Sequence, residues 1–106
     1  MRSSAHSPAG ETLDAAARGL TVRIPSLLHS YTAGARTVRL PAHATLDEAL
    51  HDLDARFPGL RFRVVDEQGA IRPHIKMFVD GALARRLDTL VHNAAELMIV
   101  GALSGG

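Results

Sequence analysis

The chain has 106 residues, of which 46% are hydrophobic and 22% charged; these are the proportions of one ordinary globular domain, and they exclude a disordered or low-complexity chain. Twelve basic and eleven acidic side chains leave a formal charge of +1, so no global field favours nucleic acid or an anionic membrane. With no cysteine, disulfides, thiolate metal sites and a cysteine nucleophile are excluded.

Residues 1–19 read as a flexible leader. Ser, Pro, Gly and Ala dominate it and offer little to bury, and its Glu11–Arg18 stretch is too short to hold a helix alone. It lacks the apolar stretch of a secretory signal, which makes cytoplasmic the default expectation. The longest apolar run, Leu97 to Leu103, is far short of the ~20 residues a bilayer needs, and no membrane association is expected. Residues 20–106 form the expected domain.

Leu20-Thr21-Val22-Arg23-Ile24 alternates apolar and polar residues, the period of a half-buried strand, and Pro25 ends it. Arg36-Thr37-Val38-Arg39-Leu40 repeats the alternation before Pro41. The pair reads as an open hairpin. Thr45-Leu46-Asp47-Glu48 is a capping box: the threonine hydroxyl accepts from the Glu48 N–H while the glutamate reaches back. Leu46, Ala49, Leu50, Leu53 and Phe57 then recur at helical spacing until Pro58-Gly59 stops the helix after about three turns. Arg61–Val65 fits a short strand or an irregular turn, and Asp66–Gly69 is a turn. Ile75–Val79 reads as a buried strand closed by Asp80-Gly81, a hairpin signal. Glu96–Val100 is more continuously apolar, as a central strand would be. The order strand, strand, helix, strand, strand predicts an α+β domain, a mixed sheet with one main helix across its face.

The chain then stops on Gly105-Gly106. At average glycine usage a terminal pair arises by chance in about one chain in 200, so its weight comes from the pattern before it. From Leu20 onward the sequence resembles the ubiquitin-like, β-grasp sulfur carriers of the MoaD/ThiS family. Ile24–Leu28 with Tyr31–Gly34 is similar to the family's first strand and loop. Thr45–Leu50 is similar to its capped helix, and Phe57–Leu60 to the helix exit. Gly69–Arg72 leading to Phe78–Gly81, and Ile99-Val100 running to Gly106, complete the likeness. It departs from the family at Ala94-Ala95, where a Gly-Asp pair is usual, at Gly101, where proline is common, and at Asp80, where asparagine is common.

The resemblance implies a carrier protein and not an enzyme. The Gly106 carboxylate would be adenylated with ATP by an E1-like adenylating/sulfurtransferase enzyme. Sulfide or a persulfide would then displace AMP to leave a thiocarboxylate. Leu103, Ser104 and Gly105 would form the flexible tail that enters the partner, and glycine suits a narrow channel because it has no Cβ. The sulfur would pass to a cysteine-synthase-type enzyme or to the large subunit of molybdopterin synthase, with the Ile24-Pro25 and Tyr31–Gly34 stretches most like the cysteine-biosynthesis carriers. Two rival readings are a ubiquitin-like modifier joined through Gly106 to target lysines, and an interaction module that is never activated.

No catalytic residue, metal site or bound cofactor is predicted. His6, His29, His43, His51, His74 and His92 show no paired ligand spacing for zinc. Ser104 is not a nucleophile elbow, since Ala102 stands where the first glycine is required. Arg61, Arg63, Arg85 and Arg86 are expected to form a solvated face or to dock an acidic partner enzyme. Nucleic acid is not expected, because Tyr31, Phe57, Phe62 and Phe78 sit mostly at core-type positions and offer no stacking platform. Lys76, Met98 and Val100 leave room for a partly apolar patch on the open sheet face.

Overall fold

The alternation in the first two strands and the heptad-like spacing of the helix direct one apolar face of each toward a common core. In the computed structural model, which describes residues 19–101, the elements are β1 (Leu20–Arg23), a 3-10 turn (Ser26–Leu28), β2 (Thr37–Leu40), α1 (Leu46–Arg56), α2 (Leu60–Val64), β3 (Ile75–Val79), β4 (Ala82–Ala84) and β5 (Glu96–Gly101). The strands form one mixed sheet in the order β2-β1-β5-β3-β4. β1 and β2 make the expected antiparallel pair, with Leu20 opposite Leu40 and Val22 opposite Val38. β5 lies between β1, to which it is parallel, and β3, to which it is antiparallel. Its apolar run is that of a strand with neighbours on both sides.

Period-2 alternation puts Leu20, Val22, Leu97, Ile99, Ile75 and Met77 on the covered face, where they pack with Leu46, Ala49, Leu50 and Leu53 of α1 in one buried cluster. Burying a leucine side chain contributes roughly 1.5–3 kcal/mol each. Truncating Leu50, which is fully buried, would leave a cavity and cost ~2–5 kcal/mol.

α1 begins where the capping box places it. The Glu48 N–H donates to Thr45 Oγ1 at 3.3 Å, and Glu48 Oε1 accepts from the Ala44 N–H at 3.0 Å. The first helical N–H groups, which have no partner within the helix, donate instead to the loop before β5: Leu46 to the Thr89 carbonyl and Asp47 to the Leu87 carbonyl.

Three features differ from the sequence reading. Leu60–Val64 is a short helix, neither strand nor irregular turn. Gly59 takes a left-handed φ of 94°, and Asp54 Oδ1 accepts from both the Gly59 and Arg61 N–H groups, fixing the helix start. Leu60 and Val64, four residues apart, then share the buried side. A fifth strand, β4, follows the Asp80-Gly81 turn and pairs with β3 through Val79 opposite Ala82; three residues of Ala-Leu-Ala carry no alternation strong enough to announce it. Finally, none of the four aromatic side chains belongs to the fully buried core. Phe62, between the inward Leu60 and Val64, faces away and is 54% exposed, while Tyr31 and Phe57 pack at the core's margin.

Candidate functional site

The proposed working group, the Gly106 carboxylate, and the tail residues Leu103, Ser104 and Gly105 lie outside the described residues, as does the leader up to Arg18. The described chain fixes the point from which the tail departs. β5 runs through the centre of the sheet and ends at Gly101 opposite Ile75, the first residue of β3. Five residues follow Gly101, so Gly106 can lie at most about 17 Å beyond it along an extended chain.

The root of the tail is closely packed. A methyl group built on Gly101 would run into Leu27 Cδ2 and lie 3.5 Å from Ile75 Cδ1. The loop after β1 therefore folds Leu27 over the last residue of β5. That loop is anchored by Leu28, which is fully buried, and by the Thr32 hydroxyl, which donates to the Ala35 carbonyl at 2.9 Å. A glycine at position 101 leaves room for the leucine.

The other end of β5 is held by Asp80. This residue has a left-handed φ of 49°, and Gly81 follows at 87°, two positive values that match the tight hairpin turn. Its Oδ1 accepts from the Ala95 N–H at 3.0 Å and the Glu96 N–H at 2.9 Å. The turn thereby ties β3 and β4 to the first residue of β5.

The basic residues singled out in the sequence do not act as one group. Arg61 pairs with Asp47 at 2.8 Å and Arg86 with Asp88 at 2.9 Å, and that pairing holds the Asp88 carboxyl below its ordinary range. Arg63 and Arg85 make no ion pair among the described residues. Arg63 instead lies over the Tyr31 ring, 5.9 Å from its centroid. Arg72, not singled out by its sequence context, covers the Phe62 ring at 4.6 Å and donates through Nε to the Phe62 carbonyl. The signal that could have found it is the helical spacing of Leu60 and Val64, which turns Phe62 outward.

The open sheet face carries the anticipated patch. Val100 is 39% exposed and pairs with Lys76, while Met98 pairs with Phe78, and Phe78 with Leu83, itself 40% exposed. Beside it Arg23 pairs with Glu96.

The histidines are dispersed. His29 Nε2 lies 3.0 Å from the Ile24 carbonyl and His43 Nε2 lies 2.7 Å from Asp52. Asp52 also accepts from Arg56, and the arginine and histidine together hold its carboxyl below the ordinary value. Among the described residues no group of three metal-binding side chains comes together, and no helix is long and apolar enough to cross a membrane.

Comparison with known proteins places these features among relatives. The ThiS family profile matches residues 22–106. A chain in the crystal structure of the Amycolatopsis orientalis BexX/CysO complex is 28% identical, covering 83% of this chain and 100% of its own length, with a TM-score of 0.74. SAMP1, small archaeal modifier protein 1, from Haloferax volcanii is 30% identical over 82% of this chain and 98% of its own, with a TM-score of 0.68. CysO from Mycobacterium tuberculosis, 24% identical, shares the fold over 80% of this chain and 100% of its own with a TM-score of 0.73. No curated protein sequence matches the chain.

Proposed function

The chain belongs to the ThiS family, and from that premise we propose that it is a sulfur carrier working through its terminal carboxylate. A partner enzyme adenylates Gly106: a carboxylate oxygen attacks the α-phosphorus of ATP and pyrophosphate leaves. Sulfide then attacks the activated carbonyl carbon, a C–S bond forms, and AMP departs with the electron pair of the broken C–O bond. The product is a thiocarboxylate. A bare carboxylate is a poor electrophile, so both the activation and the later transfer belong to partner proteins, and ATP is the co-substrate of the first of them.

The observation that carries this reading is the path of β5. A central strand ends at Gly101 at the margin of the sheet, and the family match continues past it through residue 106. Five residues separate Gly101 from the terminal carboxylate in sequence, the last two of them glycines, whose backbones would enter a narrow channel without a Cβ to obstruct them. The 28% identical chain comes from a complex whose name pairs CysO with BexX, which supports a carrier that works by docking to other proteins. The Ile24-Pro25 and Tyr31–Gly34 stretches, most like the cysteine-biosynthesis carriers, favour a cysteine-synthase-type acceptor over the large subunit of molybdopterin synthase.

Incubation with the cognate adenylating enzyme, ATP and sulfide should raise the intact mass by one oxygen-to-sulfur exchange. A second reading has its own support: SAMP1, a small archaeal modifier protein, is 30% identical. Under that reading the acyl group passes to a lysine amine of a target protein, and gel-shifted conjugates, not a thiocarboxylate, accumulate.

A further inference from the structure

The end of the sheet from which the tail departs is basic, and no carboxylate lines the two grooves that reach it. One groove of about 200 Å³ is lined by Leu27, Phe62, Arg63, Arg72 and His74. A second, of about 190 Å³, includes Arg72, Lys76 and Arg85 in its lining together with Ile75 and Leu83. Arg72 belongs to both, so the grooves adjoin. Both reach the root of the tail, because Leu27 lies against Gly101 while Ile75 and Lys76 pair with Gly101 and Val100.

This concentration of charge is local. The whole chain carries only +1, and Arg23, Arg56, Arg61 and Arg86 each have a carboxylate partner. Arg63, Lys76 and Arg85 have no ion-pair partner among the described residues, and Arg72 is engaged only by the ring and carbonyl of Phe62. Four cations around two adjoining grooves repel one another, and among the described residues none of them has a carboxylate within ion-pair distance. An exposed phenylalanine beneath an arginine adds two residue types that are enriched in protein interfaces.

We propose that this collar is a docking surface for a carboxylate-rich protein rim surrounding the channel that receives the tail. The inference rests on the carrier reading and adds to it the chemistry of the partner's surface. Reach makes the argument: Gly106 lies at most about 17 Å from Gly101, so a protein that takes the carboxylate into its interior must bring its own surface against the residues around Gly101. Complementary charge there accelerates encounter and selects among partners. It is felt over about 8 Å at physiological salt.

The test uses the full chain carrying Arg63→Glu, Lys76→Glu and Arg85→Glu, three exposed positions, with Arg39→Glu on the opposite edge strand β2 as control. Urea unfolding establishes that both variants fold. In thiocarboxylate formation by the adenylating enzyme, the triple variant should raise KM about tenfold or more with kcat within about twofold. Its KM should also respond less to salt than that of the wild type, and Arg39→Glu should change neither constant. An unchanged KM in the triple variant overturns the collar and leaves the carrier reading standing. A second measurement does not depend on loading. Nuclear magnetic resonance titration at low salt with a glutamate-rich decapeptide should shift the amides of Arg63, Arg72, Lys76 and Arg85, and the triple variant should abolish those shifts. No binding of the peptide, or stronger binding of a single-stranded oligonucleotide at the same amides, overturns the proposal.

Discussion

Replacing Asp80 by alanine removes two distinct supports of the central strand, and their sizes can be worked out separately. The carboxylate accepts from the Ala95 and Glu96 N–H groups at 3.0 and 2.9 Å. Such a bond contributes a net ~0.5–1.5 kcal/mol, and because the site is open to water the pair together is set at about 1–2 kcal/mol. The residue also holds a left-handed φ of 49°, a conformation that costs an ordinary side chain ~1–2 kcal/mol but that Asp and Asn tolerate. Asp80→Ala should therefore lose about 2–4 kcal/mol in urea unfolding. In a domain of this size that lowers Tm by roughly 8–30 °C. Asp80→Gly relieves the backbone but supplies no acceptor, and should lose only the hydrogen-bonding share. Asp80→Asn keeps one acceptor oxygen and the tolerated φ, and should stay within ~1 kcal/mol of wild type. Wild-type stability in Asp80→Ala, or equal losses in the alanine and asparagine variants, would refute the assignment.

Thr45→Ala deletes the acceptor for the Glu48 N–H and should cost about 1 kcal/mol in urea unfolding, while sulfur loading survives. Asp52, held below its ordinary value by Arg56 and His43, contributes stability above the unfolded carboxyl value near 3.8 that is lost as pH falls through its lower folded value. Urea midpoints of wild type and Asp52→Asn should accordingly differ at neutral pH and converge in the acid range. Gly105→Val keeps the terminal carboxylate but restricts and widens the tail; loading rates should fall severely while the thermal unfolding curve is unchanged.

How much of this was legible depended on whether residues announce themselves by period. The β1–β2 pairing, the capped α1 and the central position of β5 follow from alternation, a capping box and a continuous apolar run, and each signal sits within a few neighbouring residues. β4 escaped because an edge strand of three small or lightly alternating residues is created by the Asp80-Gly81 turn and by β3, not by its own pattern. α2 escaped because its start depends on Asp54, several residues upstream, and its apolar residues make a single pair. Misreading that segment also turned Phe62 inward, and with it hid the arginine stacked on its ring. The same limit applies to charge. Arg61 and Arg86 look free in the sequence, and only tertiary contact reveals Asp47 and Asp88 beside them. The chemistry proposed for the tail rests on a different kind of signal, the terminal diglycine together with the resemblance that precedes it.

The account rests most heavily on Gly106, and fragmentation mass spectrometry of the loaded chain addresses it directly. Full-length protein and a chain lacking Gly106 are incubated in parallel with the adenylating enzyme, ATP and sulfide. The account predicts one oxygen-to-sulfur exchange in the full-length chain, located on its final residue, and none in the shortened chain, whose urea unfolding stays unchanged. Sulfur found on any other residue, or undiminished loading of the chain without Gly106, would contradict it.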